Sequence, residues 1–350
     1  MASIRLPLCI GLFLTVVLTQ KAQYTDDVGR HQFYPLAASA YTNPQTCINK
    51  WLGAQLKRQI NVDCDMLKGD TCSGYTAVSP DKKIIALVFR GTTTDEQLLA
   101  EIDETLRKKI PLGAGTVDEY FYDGFNKLWT GGMKDDFLSL RSKYPSFDIY
   151  VTGHSLGGAM STIAANYLVL TQNVPAASIK HMTFGEPRVG DQAFADDHDA
   201  RFTYSFRVTN HNDVGPHIPP KFLSFQNHQT EIWYNNDMST ANFTVCSGQE
   251  DPNCSDSVTL LHYSIPEHRQ YYGVNLDDWI NVFYSSTMRL YTEFLLFFPL
   301  IALAMSKKRR LQAQRVLPAF GHEDQGRCVR YEDGNTRDEW CRDPATACAC

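Results

Sequence analysis

Positive charge is the scarcer sign in this chain: 33 Lys and Arg stand against 39 Asp and Glu, a net charge of −6 over 350 residues. Nucleic-acid binders carry a basic surface, so this balance argues against a nucleic-acid partner. The sequence has no HExxH and no CxxC…CxxC arrangement, so it predicts no metal site. It has no internal repeat. It also lacks an uninterrupted apolar run of the ~20 residues that a membrane-spanning helix needs. Apolar residues make up 43% and charged residues 21%, the balance of a globular protein with a sizeable core. That excludes collagen, a coiled coil or wholesale disorder.

The first 22 residues have a different character. Residues 1–5 carry one positive charge, and residues 6–19 (LPLCIGLFLTVVLT) are largely apolar. This pattern predicts a secretory signal peptide cleaved near Ala22, with an uncleaved anchor as the alternative. An extracellular route makes cysteines readable as disulfides. Ten cysteines are present; beyond Cys9 they are Cys47, Cys64, Cys72, Cys246, Cys254, Cys328, Cys341, Cys348 and Cys350. Cys64 with Cys72 and Cys246 with Cys254 would each close a short polar loop. The odd total leaves at least one thiol free or paired elsewhere. Sequons at 242–244 and 253–255 fit a secreted surface loop.

A second apolar stretch, residues 291–305 (YTEFLLFFPLIALAM), is followed by KKRR at 307–310. Glu293 and Pro299 interrupt it and it is short, so the expectation is a buried or interfacial helix with weak membrane association. A stop-transfer span that anchors the protein is the alternative. The predicted organisation is a signal peptide (1–22), a main folded domain (23–275) and a cysteine-bearing C-terminal extension (276–350).

Between residues 34 and 273, strand-like and helix-like stretches alternate, the signature of an α/β sheet. Strands are expected at 83–89 (KIIALVF), 147–152 (FDIYVT) and 203–208 (TYSFRV), and a helix at 159–170 (AMSTIAANYLVL). Between the second strand and that helix lies Gly153-His154-Ser155-Leu156-Gly157-Gly158. G-x-S-x-G at a strand-to-helix turn is a nucleophile elbow: the turn is so sharp that glycine-sized neighbours are required, and the serine hydroxyl projects above the sheet. The following helix points its N-terminal dipole at a developing oxyanion.

A serine hydroxyl needs a base to become a nucleophile. In such folds the partners follow in the order serine, carboxylate, histidine. Asp213, in VTNHNDVGPHIPP beyond the third strand, is the candidate carboxylate, with a turn-forming aspartate as its plain alternative. Asp191, Asp196, Asp197 and Asp199 lie on polar stretches that read as surface. His262 and His268 are both candidates for the base, and spacing alone does not decide between them. His211, His217 and His228 lie too near Asp213 to fit a separate loop.

These residues resemble the class 3 lipases, the group of the fungal triacylglycerol lipases, over about residues 34–273. The resemblance rests on Phe89-Arg90-Gly91-Thr92, Asp123-Gly124-Phe125, GHSLGG, TFGEPRVG at 183–190, Asp213 before Pro216 and Pro219-Pro220, and His268 before Tyr271-Tyr272-Gly273. It implies an α/β-hydrolase fold with a mostly parallel central sheet flanked by helices. It also implies a triad of Ser155, Asp213 and His268, an oxyanion hole formed by Thr92 and Leu156, and no cofactor. Residues 94–110 carry Leu98, Leu99, Ile102, Leu106 and Ile110 at near-helical spacing, where the family places a lid that opens at a lipid interface; an ordinary amphipathic surface helix is the alternative. The two short disulfide loops resemble fungal ones. Cys47 departs from that pattern, because no cysteine follows Gly273 closely, so it pairs with a tail cysteine or stays free.

The resemblance implies hydrolysis of carboxylic esters of lipids through an acyl-enzyme, with triacylglycerol as the leading substrate. Phospholipase A1 and feruloyl esterase chemistry are the alternatives, as is a catalytically silent lipid-binding protein that retains the fold.

Overall fold

The computed structural model describes residues 21–64, 71–93 and 108–276. Residues 1–20 of the predicted signal segment, residues 94–107 of the expected lid, the apolar segment 291–305 and the cysteine tail lie outside the described residues.

An eight-stranded sheet organises the chain, in the order β1-β2-β3-β6-β7-β8-β9-β10. The strands are β1 (Gln55–Asp63), β2 (Thr71–Ser79), β3 (Ile84–Phe89), β6 (Asp148–His154), β7 (Ile179–Phe184), β8 (Ser205–Asn210), β9 (Glu231–Tyr234) and β10 (Thr244–Val245). From β3 to β9 the pairing is parallel, and β1, β2 and β10 run antiparallel to their neighbours. All six residues of β3 are buried, which explains its unbroken apolar run: a strand covered on both faces has no polar side. Its side chains alternate between the faces. Ile85, Leu87 and Phe89 join one core, and Ile84, Ala86 and Val88 join the other.

The first core is completed by α2 (Glu119–Leu128), α3 (Lys134–Lys143) and α4 (Leu156–Gln172), through Phe121, Phe125, Phe137, Met160 and Ile163. On the opposite face, α1 (Pro44–Leu52) contributes Ile48 and Leu52. The helical stretch 26–39 adds Phe33, Tyr34 and Leu36 there. A short hairpin, β4 (Lys109–Leu112) with β5 (Gly115–Asp118), leads into α2. Asp118 caps that helix by accepting from the Tyr120 N–H at 2.9 Å. The remaining elements are α5 (Gln192–Arg201), α6 (Ile265–His268) and the two-stranded ribbon β11 (Gln270–Tyr271) with β12 (Val274–Asn275).

Four details differ from the sequence expectation. Strand β6 continues through Gly153 and His154, because both still pair with Thr183 and Phe184 of β7. Helix α4 therefore starts at Leu156, directly after Ser155, rather than at 159. Strand β8 occupies 205–210, two residues later than expected, with Arg207–Asn210 paired to β9. Ile110, the last residue of the expected amphipathic stripe, is not helical. It pairs with Val117 in the β4–β5 hairpin.

Cys64–Cys72 and Cys246–Cys254 are disulfides. Cys47 is disulfide-bonded as well, which removes the free-thiol alternative for it. Asn242 and Asn253, the two sequon asparagines, are exposed. Among the described residues, no helix is long and apolar enough to cross a membrane.

Candidate active site

Ser155 stands between β6 and α4 with φ 60° and ψ −132°. For a residue with a Cβ this backbone is strained, at a cost of order 1–3 kcal/mol, and persists only where the surroundings enforce it. They do so here. The Ser155 N–H donates to the Phe184 carbonyl at 2.9 Å, and the Ser155 carbonyl accepts from Gly158 N–H at 2.8 Å. The turn also requires its glycine: a Cβ on Gly157 would lie 2.2 Å from the Phe89 carbonyl oxygen.

Asp213 follows β8 and is completely buried. One carboxylate oxygen accepts from the Gly215 N–H at 2.6 Å and faces His268 Nδ1 at 2.7 Å. The other accepts from the Tyr271 hydroxyl at 2.5 Å. Burial pushes the Asp213 carboxyl up, but His268, Tyr271 and Gly215 outweigh it and hold the group below the usual carboxylate range. An ionised Asp213 fixes the tautomer of His268, with the proton on Nδ1 and the lone pair on Nε2. Nε2 is buried and has no hydrogen-bond partner among the described residues. It is therefore not bonded to the Ser155 hydroxyl in this conformation; such bonds often tighten only when substrate binds.

His268 ends α6, which Ser264 caps by accepting from Glu267 N–H. The loop is pinned on both sides. The Asn210 amide donates to the Glu267 and Gln270 carbonyls at 3.1 and 2.6 Å, and Glu267 accepts from the Asn212 N–H at 2.9 Å. His262, the other candidate, is exposed and bonded to Thr259. His211 meets Glu267, and His217 stacks on Tyr263 at 4.2 Å. The four rejected carboxylates have structural work. Asp191 caps α5, Asp197 pairs with Arg201, and Asp196 and Asp199 accept from the Gln249 amide.

The Arg90-Gly91-Thr92 loop abuts the elbow. A Cβ built on Gly91 would come within 2.9 Å of Ser155 Cβ and 2.5 Å of the His154 carbonyl. The Thr92 hydroxyl is buried and unbonded among the described residues. Leu156 is the first residue of α4, so its N–H has no acceptor within the helix and sits at the positive end of the dipole. Of the two expected oxyanion donors, Leu156 directly follows Ser155 and Thr92 follows the Gly91 that abuts it.

Two residues of the site were not singled out in the sequence. His154 sits inside the elbow motif and Tyr271 inside the Tyr-Tyr-Gly motif. Nothing local distinguishes them, because both act across the fold.

Residues 86–223 match the family profile described as Lipase (class 3). A lipase of Caenorhabditis elegans is 36% identical over 308 residues, which is 78% of this chain and 86% of that protein. A secreted alkaline triacylglycerol lipase of Penicillium cyclopium is 30% identical, covering 70% of this chain and 83% of its own length. A Rhizopus niveus lipase is 29% identical over 69% of this chain, which spans 62% of its length. Among solved structures, a lipase from Rhizopus microsporus var. chinensis superposes with a TM-score of 0.64 at 23% identity, covering 73% of this chain and 90% of that one. A Rhizomucor miehei lipase does so with a TM-score of 0.63 at 25% identity, covering 73% and 83%. The family match spans the elbow and Asp213, and with the 36% identical relative covered over 86% of its length it shows that the chain belongs to the class 3 lipase family.

Proposed function

We propose that the protein is a secreted lipase that hydrolyses the esters of triacylglycerol with Ser155, His268 and Asp213 as its triad. His268 Nε2 takes the Ser155 proton as the serine oxygen attacks the ester carbonyl. The tetrahedral oxyanion is received by Thr92 and the Leu156 N–H. Asp213 stabilises the imidazolium, which then protonates the departing glycerol oxygen. Water, deprotonated by the same imidazole, releases the fatty acid from the acyl-enzyme. No cofactor enters this scheme. The observation that carries the reading is the buried Asp213–His268 pair at 2.7 Å, with the far imidazole nitrogen unbonded among the described residues. That nitrogen is poised to accept a proton from an alcohol. The apolar stretch 6–19 and the disulfides support export, as does the similarity to the secreted lipase of Penicillium cyclopium.

The test is hydrolysis of emulsified triacylglycerol, phospholipid and feruloyl ester by the purified protein, together with fluorophosphonate labelling. Labelling of wild type but not Ser155→Ala, with the fastest turnover on triacylglycerol, is expected. Faster turnover of phospholipid or feruloyl ester would replace the substrate assignment. Absence of labelling would make the protein a non-catalytic lipid binder.

A further inference from the structure

Behind the elbow lies a second buried cluster of His181, His198 and His228, close enough together to suggest a metal centre. The hydrogen bonds argue otherwise. His228 Nδ1 faces the Gln229 carbonyl at 2.8 Å and its Nε2 faces a Glu186 carboxylate oxygen at 3.2 Å. Both partners are acceptors, so both nitrogens carry protons and the ring is a cation. The Asn166 amide donates to His198 Nδ1 at 2.9 Å, so His198 Nε2 donates to Ser205 Oγ at 2.8 Å. The Ser205 hydroxyl then donates to His181 Nδ1 at 2.9 Å, and His181 Nε2 donates to Thr162 Oγ1 at 3.2 Å. The Thr162 hydroxyl donates in turn to Glu186, and Thr183 does so at 2.5 Å. Every ring nitrogen is spoken for, and no lone pair remains for a metal. Burial drives His181 down to about 3 and His198 well down, so both rings are neutral, as the donor sequence requires. The Glu186 carboxyl is held below the usual carboxylate range: burial opposes its charge, and the paired His228 and the Thr162 hydroxyl more than compensate.

Glu186 belongs to the turn after β7, and this turn touches all three members of the proposed triad. The Phe184 carbonyl holds the Ser155 N–H at 2.9 Å. Gly185, at φ +57°, lies so close to the acid–base pair that a Cβ there would meet Asp213 Oδ2 at 2.6 Å and the His268 ring at 2.9 Å. The Glu186 stem packs on Gly158, whose Cβ would lie 3.1 Å from Glu186 Cβ. We propose that Glu186 is a positioning residue for acyl transfer: its buried carboxylate, paired with His228 and anchored to Thr162 and Thr183, fixes the 184–186 turn that sets serine, imidazole and carboxylate relative to one another. This inference rests on the triad reading above.

The test is steady-state hydrolysis of p-nitrophenyl butyrate by the purified full chain, with folding checked by near-UV circular dichroism. Misplacing reacting groups by about 1 Å costs on the order of 100-fold in turnover. Glu186→Ala is expected to lower kcat about 100-fold with KM within about twofold of wild type, and Glu186→Gln, which keeps some of the threonine contacts, to recover roughly tenfold of that. Glu186→Ala leaves the His228 charge buried and unpaired, so it can unfold the chain. The double variant Glu186→Gln/His228→Gln removes both members of the buried Glu186–His228 pair, so neither charge is left unpaired, and it carries the test in that case, with kcat reduced and fold intact. Wild-type kcat in the folded double variant, or a loss appearing in KM alone, overturns the proposal. Stoichiometric zinc in the purified wild type, lost in His198→Ala, overturns it in favour of a metal site. Failure of wild type to label with fluorophosphonate sinks the triad reading instead, before any Glu186 variant is compared.

Discussion

His154 donates from Nε2 to the main-chain oxygen of His268 at 2.6 Å, so the residue preceding the serine holds the backbone of the histidine that meets Asp213. Its other nitrogen accepts from the Tyr41 hydroxyl at 2.8 Å. Burial first, and then the nearby His268, lowers the His154 pKa to about 3. The ring is neutral at ordinary pH, with its single proton committed to the His268 carbonyl.

His154→Ala removes this tie and opens a gap beneath the α6 loop. Turnover of a soluble ester is expected to fall about 100-fold, since the base is no longer held at its working position. Fluorophosphonate labelling should slow in parallel. Labelling at the wild-type rate by folded His154→Ala would show that the tie is not needed.

Tyr271→Phe deletes one hydroxyl from the Asp213 carboxylate and changes little else. A hydrogen bond to a buried charged group contributes about 1.5–3 kcal/mol, so the variant should unfold at correspondingly lower urea. The Asp213 carboxylate would also be less firmly oriented against the imidazole, and kcat should drop roughly tenfold. Urea titration and steady-state kinetics read the two effects separately.

Asp118 sets a pH dependence of stability. Burial, against the Tyr120 and Phe121 N–H groups, raises its pKa from 3.8 to about 7. The native state therefore holds a proton that the unfolded chain has released. The associated stability is complete below pH 4 and is lost as pH rises through 7. Asp118→Asn keeps a capping oxygen without the charge. It should stabilise the protein at pH 8 by on the order of 2 kcal/mol and leave it unchanged at pH 4. Equal effects at both pH values would contradict this.

His154 and His181 act in the opposite sense. Both are held near 3, from an ordinary value of 6.5, chiefly by burial. Their contribution is present above pH 6.5 and is lost as pH falls from there toward 3. Thermal unfolding followed between pH 7 and 4 should show a falling Tm, and a flat profile would refute the assignment of buried neutral rings.

The Cys246–Cys254 bridge closes a loop with a sequence separation of 8. In the chain-entropy picture such a bridge contributes about 2–3 kcal/mol. It packs against Trp233, whose indole N–H donates to the His211 carbonyl at 2.9 Å, two residues from Asp213. The double Cys→Ser variant should therefore lose both thermal stability and some turnover. Loss of neither would show that the loop stands without its bridge.

Much of the site was legible before any coordinates. Ser155 stood out because an elbow is a local object, in which one strand, one helix and glycines within two residues of the serine all lie within twenty-five positions. The inner strands were legible for a similar reason, since burial on both faces leaves an unbroken apolar run. Exact ends were not, because β6 continues wherever β7 offers partners, and that depends on register rather than on propensity. The choice between His262 and His268 was open to residue spacing alone and leaned on family resemblance. The structure shows which of the two meets Asp213.

The sequence by itself determined the chemistry on offer: a serine on a glycine turn, a following carboxylate, a later histidine and a chain with too little positive charge for nucleic acid. Only the tertiary structure decided who meets whom. Asp213 is bonded to an imidazole 55 residues away and to a hydroxyl 58 residues away, and the Phe184–Glu186 turn lies under all three. Steric rules and periodicity act over a few residues, so they leave a readable mark in sequence. A contact across the sheet depends on the register of several strands at once, and no short pattern records it.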